Sequence, residues 1–223
     1  MHFARCARFL PPRAAAMREA TMDSAEQDAI AAEAPLALFG EWLAAARAAE
    51  PNDPEAVALA TATPEGAPSV RMVLLKDWDA DGFVFYTNGH SRKGGELHAN
   101  RQAAMLFHWK SLRRQIRIEG TVSEVTPELA DAYFASRSRD SQIGAHASDQ
   151  SAPLGSRSEL LARIAKTGAR YLVGQVPRPP HWSGFRLNPA AMEFWLDRPF
   201  RLHERRRFVR SPDGGWTNGL LYP

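Results

Sequence analysis

The sequence predicts an α+β protein in which an antiparallel sheet curls into a small barrel and helices are inserted between its strands. Two observations carry this prediction. Six or seven short segments have the apolar content of strands, and the first of them are joined by connections too short for the crossovers that parallel strands need. Between later segments, apolar residues recur at helical spacing, which is typical of peripheral helices packed on a curled sheet.

The first predicted elements are one helix and two strands. Apolar residues recur at helical spacing over 35–50, from Leu36 to Ala46, before a proline-rich segment ends the pattern. Strands are then expected over 57–63 and 69–75, joined by a turn that contains proline and glycine. The sheet is therefore expected to begin with antiparallel neighbours.

A cationic β-hairpin is predicted next. Two apolar runs, over 71–76 and 83–88, are separated by a segment rich in aspartate and glycine, which is turn chemistry. Ser91 is the expected N-cap of the following helix, where unpaired backbone N–H groups favour an anion. The cations of this stretch are Arg71, Lys76, Arg92 and Lys93. The stretch therefore predicts a phosphate site.

Strand parity separates two of these cations. Because positions 71 and 76 differ by an odd number, a regular strand sends Arg71 and Lys76 to opposite faces unless Lys76 lies beyond its end. They are expected to serve different phosphates or different parts of one site. The chain lacks both common glycine-rich nucleotide loops, so side chains must hold any phosphate.

The middle of the chain predicts two helices and two strands. A short helix is expected over 91–100 and a strand over 103–109. Residues 114–125 alternate between polar and apolar side chains, so one face of that strand can hold a ligand. A helix is predicted over 127–139. If it continues further, three polar residues spaced by four lie on one side: Tyr133, Arg137 and Ser141.

The last third predicts one helix, over 157–166 with Gly168 past its end, and strands over 191–196 and 200–209. Alternation places three residues on one face of the last strand, namely Arg201, His203 and Arg205. Two interpretations stay open. A solvated basic edge strand is favoured by the local pattern, and the alternative is a site for an anion or a flat ring bordered by Trp195.

Composition excludes several classes of protein. The formal charge is +3, but residues 1–18 hold four arginines and no acid. Without those four, 24 basic residues stand against 25 acidic ones, which argues against nucleic-acid binding. The single cysteine and the unclustered histidines predict no metal site. No apolar run is long enough to span a membrane. A cytoplasmic location is expected, with the arginine-rich start as a possible transit peptide.

Five ordered motifs give the chain a family resemblance. They are Arg71-x-Val73-Leu74-Leu75-Lys76, Phe85-Tyr86-Thr87-Asn88 with Ser91-Arg92-Lys93, Arg137-x-Arg139-Asp140-Ser141-Gln142-Ile143-Gly144-Ala145, Glu193-Phe194-Trp195 and Arg201-Leu202-His203-x-Arg205. Together they resemble the pyridoxine/pyridoxamine 5′-phosphate oxidase family from about residue 35 to about residue 210. We assign the domain to 35–223 and expect a disordered tail over 1–34.

The resemblance implies an FMN-binding split β-barrel that works as a homodimer with FMN at the subunit interface. The implied reaction oxidises pyridoxine 5′-phosphate or pyridoxamine 5′-phosphate to pyridoxal 5′-phosphate, with a hydride passing from C4′ to FMN N5 and dioxygen reduced to hydrogen peroxide. No nucleic acid or membrane takes part. The flavin would carry the redox chemistry, and the protein would supply position and charge.

The resemblance also implies the site residues. FMN contacts carry over to Arg71, Met72, Val73, Leu74, Leu75, Lys76, Tyr86, Thr87, Arg92, Lys93, Gln115, Gln150, Ser151, Trp195 and Arg205. Substrate contacts carry over to Lys76, Tyr133, Arg137, Ser141, Arg201, Leu202 and His203. Arg201 and His203 would be the catalytic residues, which face the pyridine ring and stabilise charge as C4′ becomes a carbonyl.

Two departures and two rival functions accompany the resemblance. The segment 17–21 lacks the tyrosine that the family carries ahead of its first helix, and Leu220 stands where the family's C-terminal arginine is usual. One rival is a sister FMN oxidase that acts on another ring, such as a phenazine precursor. The other is a flavin-binding module without turnover, against which the presence of Arg201 and His203 argues.

Overall fold

The computed structural model describes residues 30–31 and 34–223. Residues 1–29 and 32–33, which hold most of the predicted tail, lie outside the described residues. The elements in chain order are α1 (Pro35–Ala49), β1 (Ala56–Ala62), β2 (Pro68–Leu74), β3 (Asp77–Asp79), β4 (Gly82–Asn88), α2 (Arg92–Ala99), β5 (Gln102–Trp109), β6 (Arg114–Glu124), α3 (Pro127–Ser136), α4 (Arg139–Ala147), α5 (Arg157–Arg170), β7 (Trp182–Leu196), a 3₁₀ turn (Pro199–Arg201), β8 (Glu204–Arg210) and β9 (Trp216–Leu221).

One curled antiparallel sheet organises the described residues, as the sequence predicts. Its strand order is β2-β1-β5-β6-β7-β4-β3, and β8 pairs with both β7 and β9. The 15-residue strand β7 bends the sheet by pairing with β4 through its first half and with β8 through its second. The backbone N–H of Lys76 donates to the carbonyl of Val84 at 2.8 Å, which brings the chain after β2 back to β4.

Helix α1 packs its apolar stripe on the buried face of this sheet. The Phe39 ring is fully buried and meets the rings of Trp78, Phe83 and Phe107 at centroid distances of 5.1, 4.8 and 5.3 Å. Burial of one such phenylalanine contributes about 1.5–3 kcal/mol. The helical spacing over 35–50 therefore predicts both the helix and the face that it buries.

The predicted hairpin between 71–76 and 83–88 is wrong. Strand β2 pairs with β1, and β4 pairs with β7 and with the three-residue strand β3, which the sequence did not predict. The reason lies in the turn. The Asp79 carboxylate accepts from the N–H groups of Asp81 and Gly82 at 2.8 and 3.2 Å, and Gly82 has a φ of 138°. The turn-forming residues thus close a smaller hairpin.

The helix predicted over 127–139 is in fact two helices. It ends at Ser136, Arg137 is extended with φ −73° and ψ 153°, and Ser138 caps α4. The Gln142 side chain donates to the carbonyl of Phe134 at 2.9 Å and so satisfies a terminal acceptor of α3. The spacing by four on one continuous helix therefore does not explain where Tyr133, Arg137 and Ser141 lie.

The C-terminal predictions also need correction. Helix α5 runs to Arg170 with Gly168 inside it, and 191–196 is the second half of the longer strand β7. Strand β8 begins at Glu204 rather than 200, because Phe200 and Arg201 have left-handed φ values of 59° and 61°. Alternation does not apply there, so the predicted common face of Arg201, His203 and Arg205 is wrong. The edge strand β9 was not predicted.

Candidate active site

The described residues enclose a cavity of about 500 Å³, called here the main cavity. Its lining residues are Met72, Val73, Leu74, Lys76, Tyr86, Thr87, Asn88, Lys93, Tyr133, Arg137, Ser141, Gly144, Ala145, Ser148, Gln150 and Trp182. The lining therefore includes both residues that the resemblance assigns to the cofactor and residues that it assigns to the substrate. Tyr133, Arg137 and Ser141 line it together even though a helix break separates them.

Arg137 is a half-buried cation without an anionic partner in the described structure. Its Nη1 atom is buried and has no hydrogen-bond partner. The guanidinium carbon lies 4.9 Å from the centroid of the Trp182 ring and 5.6 Å from that of Phe134. Burial lowers the pKa of the guanidinium. Since native structures rarely leave a buried donor unpaired, this side chain indicates the place of an anionic ligand.

Lys93 is a second buried cation in the main cavity, and among the described residues its side chain is held by neutral acceptors only. Its Nζ atom donates to Gln150 Oε1 at 2.9 Å, to Thr87 Oγ1 at 3.1 Å and to Ser91 Oγ at 3.4 Å. Burial, and then the positive charge of Arg71, lower the pKa of the ammonium group. A ligand anion would offset both effects.

The start of α2 is shaped to bring this lysine inward. As predicted, the Ser91 hydroxyl caps the helix by accepting from the N–H of Gly94 at 3.3 Å. A Cβ atom at Gly94 would come within 2.2 Å of the carbonyl oxygen of Gly89. Glycine at position 94 therefore permits the close approach of α2 to the end of β4, although it weakens the helix.

Arg71 and Lys76 lie in different surroundings. Arg71 donates to Thr61 Oγ1 at 2.6 Å and to the carbonyl of Leu59 at 3.2 Å, and it forms an ion pair with Glu96 at 3.2 Å. Lys76 lies beyond the end of β2, so alternation does not set its direction, and it lines the main cavity, which Arg71 does not. Strand alternation is therefore not what separates the two cations, and the ligands that they serve stay a prediction.

Three aromatic rings form a wall of the main cavity. The Tyr86 ring stacks on Tyr133 at 4.0 Å with an interplanar angle of 15° and on Trp182 at 5.3 Å with 7°. Gly184 pairs with Tyr86 across the sheet, and a Cβ atom there would lie 2.6 Å from the Tyr86 ring. Burial raises the pKa of the Tyr86 hydroxyl. This wall offers flat surfaces to a planar ligand.

A second cavity of about 290 Å³ gathers other predicted residues. It is lined by Leu106, Gln115, Arg117, Glu193, Trp195, Arg205 and Pro223. The buried carboxylate of Glu193 accepts from Arg205 Nε at 2.8 Å and from Arg117 Nη2 at 2.5 Å. The Arg205 Nη1 atom also donates to the carbonyl of Tyr222 at 2.9 Å, which ties it to the C-terminus. Arg205 is thus held in place before any ligand arrives.

The residues carried over as catalytic stand apart from the main cavity. His203 Nδ1 lies 2.8 Å from Asp197 Oδ1, and the His203 ring lies 4.6 Å from the Trp195 ring. Arg201 is exposed on the 3₁₀ turn, and Leu202 is 68% exposed. Ser151 lines a third cavity with Arg92 and Gln150. Within one chain, the predicted site residues therefore form separate groups, and Leu75 is buried outside these linings.

Sequence reasoning missed four side chains that organise these groups. They are Glu96, Trp182, Glu193 and Asp197. Each contacts a predicted residue that is distant along the chain or lies across a turn, and only the fold brings them together. One of the four could have been found from the sequence. Glu193 lies two residues before the predicted site residue Trp195 in the same strand, so alternation places both side chains on one face.

The part of the chain that the structure describes contains no helix long and apolar enough to cross a membrane. Among the same residues, no group of histidine, cysteine, aspartate or glutamate side chains is arranged to hold a metal ion. The curled antiparallel sheet, with a cavity lined by cations and aromatic rings, has the architecture of a split-barrel protein.

Comparisons with known proteins identify the family. Residues 43–195 match the family model described as pyridoxamine 5′-phosphate oxidase, and residues 182–223 match that of the pyridoxine 5′-phosphate oxidase C-terminal dimerisation region. Pyridoxine/pyridoxamine 5′-phosphate oxidase of Novosphingobium aromaticivorans is 66% identical over 189 residues, 85% of this chain and 93% of the relative. That of Rhodospirillum rubrum is 64% identical over 194 residues, 85% and 96% of the two chains.

Solved structures agree with this assignment. PhzG from Burkholderia lata 383, in complex with tetrahydrophenazine-1-carboxylic acid, aligns with a TM-score of 0.81 and 37% identity over 86% of this chain and 94% of that one. A pyridoxamine 5′-phosphate oxidase-related, FMN binding protein of Nostoc punctiforme shares the fold, with a TM-score of 0.69, 16% identity and coverage of 86% and 98%. The chain belongs to the pyridoxine/pyridoxamine 5′-phosphate oxidase family and is an oxidase.

Proposed function

We propose that this oxidase uses FMN to convert pyridoxine 5′-phosphate to pyridoxal 5′-phosphate, or pyridoxamine 5′-phosphate and water to pyridoxal 5′-phosphate and ammonia, with dioxygen reduced to hydrogen peroxide. One observation carries the proposal. Lys93 and Arg137 both line the main cavity, both are desolvated, and neither has a carboxylate partner in the described structure. Two anionic groups are therefore expected side by side, which fits a phosphorylated cofactor and a phosphorylated substrate.

The residues around Lys93 fit the phosphate end of FMN. Lys93 supplies a buried ammonium group, and Thr87 and Gln150 hold it in place. Arg71 and Arg92 add two guanidinium groups through their shared contact with Glu96. When bound, the flavin accepts the hydride and passes electrons to dioxygen. The protein's part is to fix the position of the flavin and exclude competing reactions.

The residues around Arg137 fit the phosphate of the substrate. Arg137 can present two donors to one phosphate, and Ser141 and Lys76 line the same cavity. Tyr133 would place its ring and hydroxyl between the two ligands, since it stacks on Tyr86, a predicted flavin contact. Phosphate binding would thus orient the ring of the substrate toward the flavin.

A second copy of the chain would complete the site. Gln115, Trp195 and Arg205 lie in the second cavity, outside the main cavity of their own chain. A homodimer with FMN at its interface would bring these residues to the flavin from the other copy. The match of residues 182–223 to a dimerisation region supports this arrangement. So does the apolar character of the exposed β2 side chains, including Val70, which is 69% exposed.

Arg201 and His203 would act on the substrate ring by position and charge. The contact between Asp197 and Nδ1 of His203 fixes that ring and leaves Nε2 available to a ligand. Arg201 is an exposed cation that can orient the substrate ring and stabilise charge as the C4′ carbon becomes a carbonyl. Neither residue forms a covalent bond in this scheme.

A cytoplasmic location stays a prediction.

The visible spectrum of the purified protein tests the cofactor assignment. We expect a yellow protein that retains FMN through gel filtration, and a colourless protein that cannot take up FMN would contradict the proposal. Arg201→Ala is expected to keep the colour and lose most turnover, because Arg201 would face the substrate rather than the flavin. Loss of the flavin in this variant would show that the assignment of Arg201 is wrong.

A related oxidase that acts on another ring is the second candidate. This candidate is supported by the similarity to PhzG, whose structure holds tetrahydrophenazine-1-carboxylic acid. However, the chain is 37% identical to PhzG and 66% identical to the pyridoxine/pyridoxamine 5′-phosphate oxidase of Novosphingobium aromaticivorans. Because Arg137 can also bind a carboxylate, a comparison of turnover with the different substrates must distinguish the two candidates. Turnover of tetrahydrophenazine-1-carboxylic acid, without turnover of pyridoxine 5′-phosphate or pyridoxamine 5′-phosphate, would establish this candidate. Flavin binding without any turnover would indicate a binding module.

A further inference from the structure

One buried carboxylate joins two of the cations assigned to the cofactor. Glu96, on helix α2, is 6% exposed. Its Oε2 atom accepts from Ser69 Oγ at 2.6 Å, from the Thr61 hydroxyl and from Arg71 Nη2 at 3.2 Å. Its Oε1 atom accepts from Arg92 Nε at 2.9 Å. The carboxylate thus connects strands β1 and β2 to the first turn of α2.

This arrangement fixes the directions of two guanidinium groups. Arg71 is held at both terminal nitrogens, since Nη1 donates to Thr61 and Nη2 to Glu96. Arg92 is bonded through Nε, and its side chain is 63% exposed, so its terminal nitrogens remain open to solvent. A charge-assisted contact through Nε turns the open edge of the guanidinium away from the carboxylate. Arg92 can therefore bind an anion while it is held by Glu96.

Three cations gathered near one point repel each other. Lys93 follows Arg92 directly in the sequence, and the positive charge of Arg71 contributes to the lowered pKa of Lys93. Without a counter-charge, the arginines would turn toward solvent, and their ordering would add to the cost of binding a phosphate. Glu96 offsets this repulsion in the protein before any ligand arrives.

We propose that Glu96 is a positioning residue for the cofactor phosphate, which holds Arg71 and Arg92 so that they form, with Lys93, the phosphate-binding end of the flavin site. Glu96 acts through the arginines and does not touch the phosphate. The inference rests on the proposed function. Simple charge counting predicts the opposite effect, because removal of a negative charge should strengthen phosphate binding.

The experiment compares two flavins that differ only by the phosphate. Flavin-free wild type and Glu96→Gln, both as the full chain, are titrated with FMN and with riboflavin while flavin fluorescence is recorded. We expect Glu96→Gln to weaken FMN binding by about tenfold or more and to change riboflavin binding by less than about twofold, the scale of one charge-assisted hydrogen bond. Unchanged or tighter FMN binding would overturn the inference, and equal losses for both flavins would indicate a merely structural role.

Glu124→Gln is the matched control, since Glu124 is an exposed carboxylate at the end of β6 that pairs with His98, a residue of the helix that also holds Glu96. It should leave both affinities unchanged. If Glu96→Gln does not fold, Ser69→Ala removes one donor to Glu96 and should give a smaller loss that is again specific to FMN; equal effects on both flavins would overturn the inference. Wild type that binds neither flavin contradicts the proposed function itself, whereas normal wild-type binding with an unaffected Glu96→Gln contradicts only the role of Glu96.

Discussion

The Nζ atom of Lys93 lies 2.9 Å from Oε1 of Gln150, a contact that joins the start of helix α2 to the loop after α4. Both residues line the main cavity, and the part of the chain that the structure describes offers the buried ammonium group only neutral acceptors. The protein therefore holds a desolvated positive charge where the FMN phosphate is proposed to bind. Four predictions follow from such charges and from the surfaces that would surround them.

Lys93→Met should nearly abolish FMN retention, because the methionine has a similar length but no charge for the phosphate. Fluorescence titration should show FMN affinity reduced by about tenfold or more. Thermal unfolding of the flavin-free chain should change little or even shift upward, since an unpaired buried charge is removed. Lys166→Met, at an exposed position of α5, is the control, and equal flavin affinity in both variants would refute the role of Lys93.

Arg137→Gln should raise the Michaelis constant for pyridoxamine 5′-phosphate by about tenfold or more, since a bidentate phosphate contact is lost. The flavin should remain bound, because Arg137 is assigned to the substrate phosphate and not to FMN. Steady-state kinetics with phosphorylated and unphosphorylated pyridoxine separate the effects. A Michaelis constant that rises equally for the unphosphorylated compound would show that Arg137 does not read the phosphate.

Val70→Glu should weaken the homodimer, because it places a charge on an exposed apolar strand face. Analytical ultracentrifugation should show a shift toward monomer, accompanied by loss of FMN if the second copy completes the site. Val173→Glu alters an equally small apolar side chain that is 89% exposed in a loop, and it serves as the control. A Val70→Glu dimer as stable as wild type would place the interface elsewhere.

Acid should remove a contribution of Glu96 to stability. Burial alone would raise the pKa of this carboxyl, but hydrogen bonds from Ser69, Thr61, Arg92 and Arg71 lower it from 4.5 to about 2. A pKa below the unfolded value stabilises the fold fully above pH 4.5, and this contribution is lost as the pH falls toward 2. The free energy of unfolding, measured by urea titration, should therefore decline less steeply in Glu96→Gln than in wild type over that range. Parallel curves for the two proteins would contradict the assignment.

Local chemistry predicted several of the elements but not how the strands pair. The Ser91 cap, the α1 stripe and the alternation of β6 depend on near neighbours and could be predicted from the sequence. The pairing of β4 with β7 could not, because a hairpin between 71–76 and 83–88 satisfies the same turn signals. Long-range register depends on which strands bury the most apolar surface together, and no short window of sequence contains that information.

The site shows the same division. Motifs indicated Lys93 and Arg137, but only the fold shows that, within residues 30–31 and 34–223, Lys93 lacks a carboxylate partner and Arg137 Nη1 has no hydrogen bond. The helix break at Arg137 changed the reason for the grouping of Tyr133, Arg137 and Ser141, not the grouping itself. Residues that act by holding others, such as Glu96, depend on contacts across the fold.

The most direct test of the central claim is hydrogen peroxide release by the FMN-loaded protein with pyridoxamine 5′-phosphate, measured beside the same concentration of unphosphorylated pyridoxamine. We expect stoichiometric peroxide and pyridoxal 5′-phosphate from the phosphorylated compound and little from the other, because Arg137 and Lys76 would select the phosphate. No peroxide from pyridoxamine 5′-phosphate or pyridoxine 5′-phosphate by a protein that holds FMN would contradict the account.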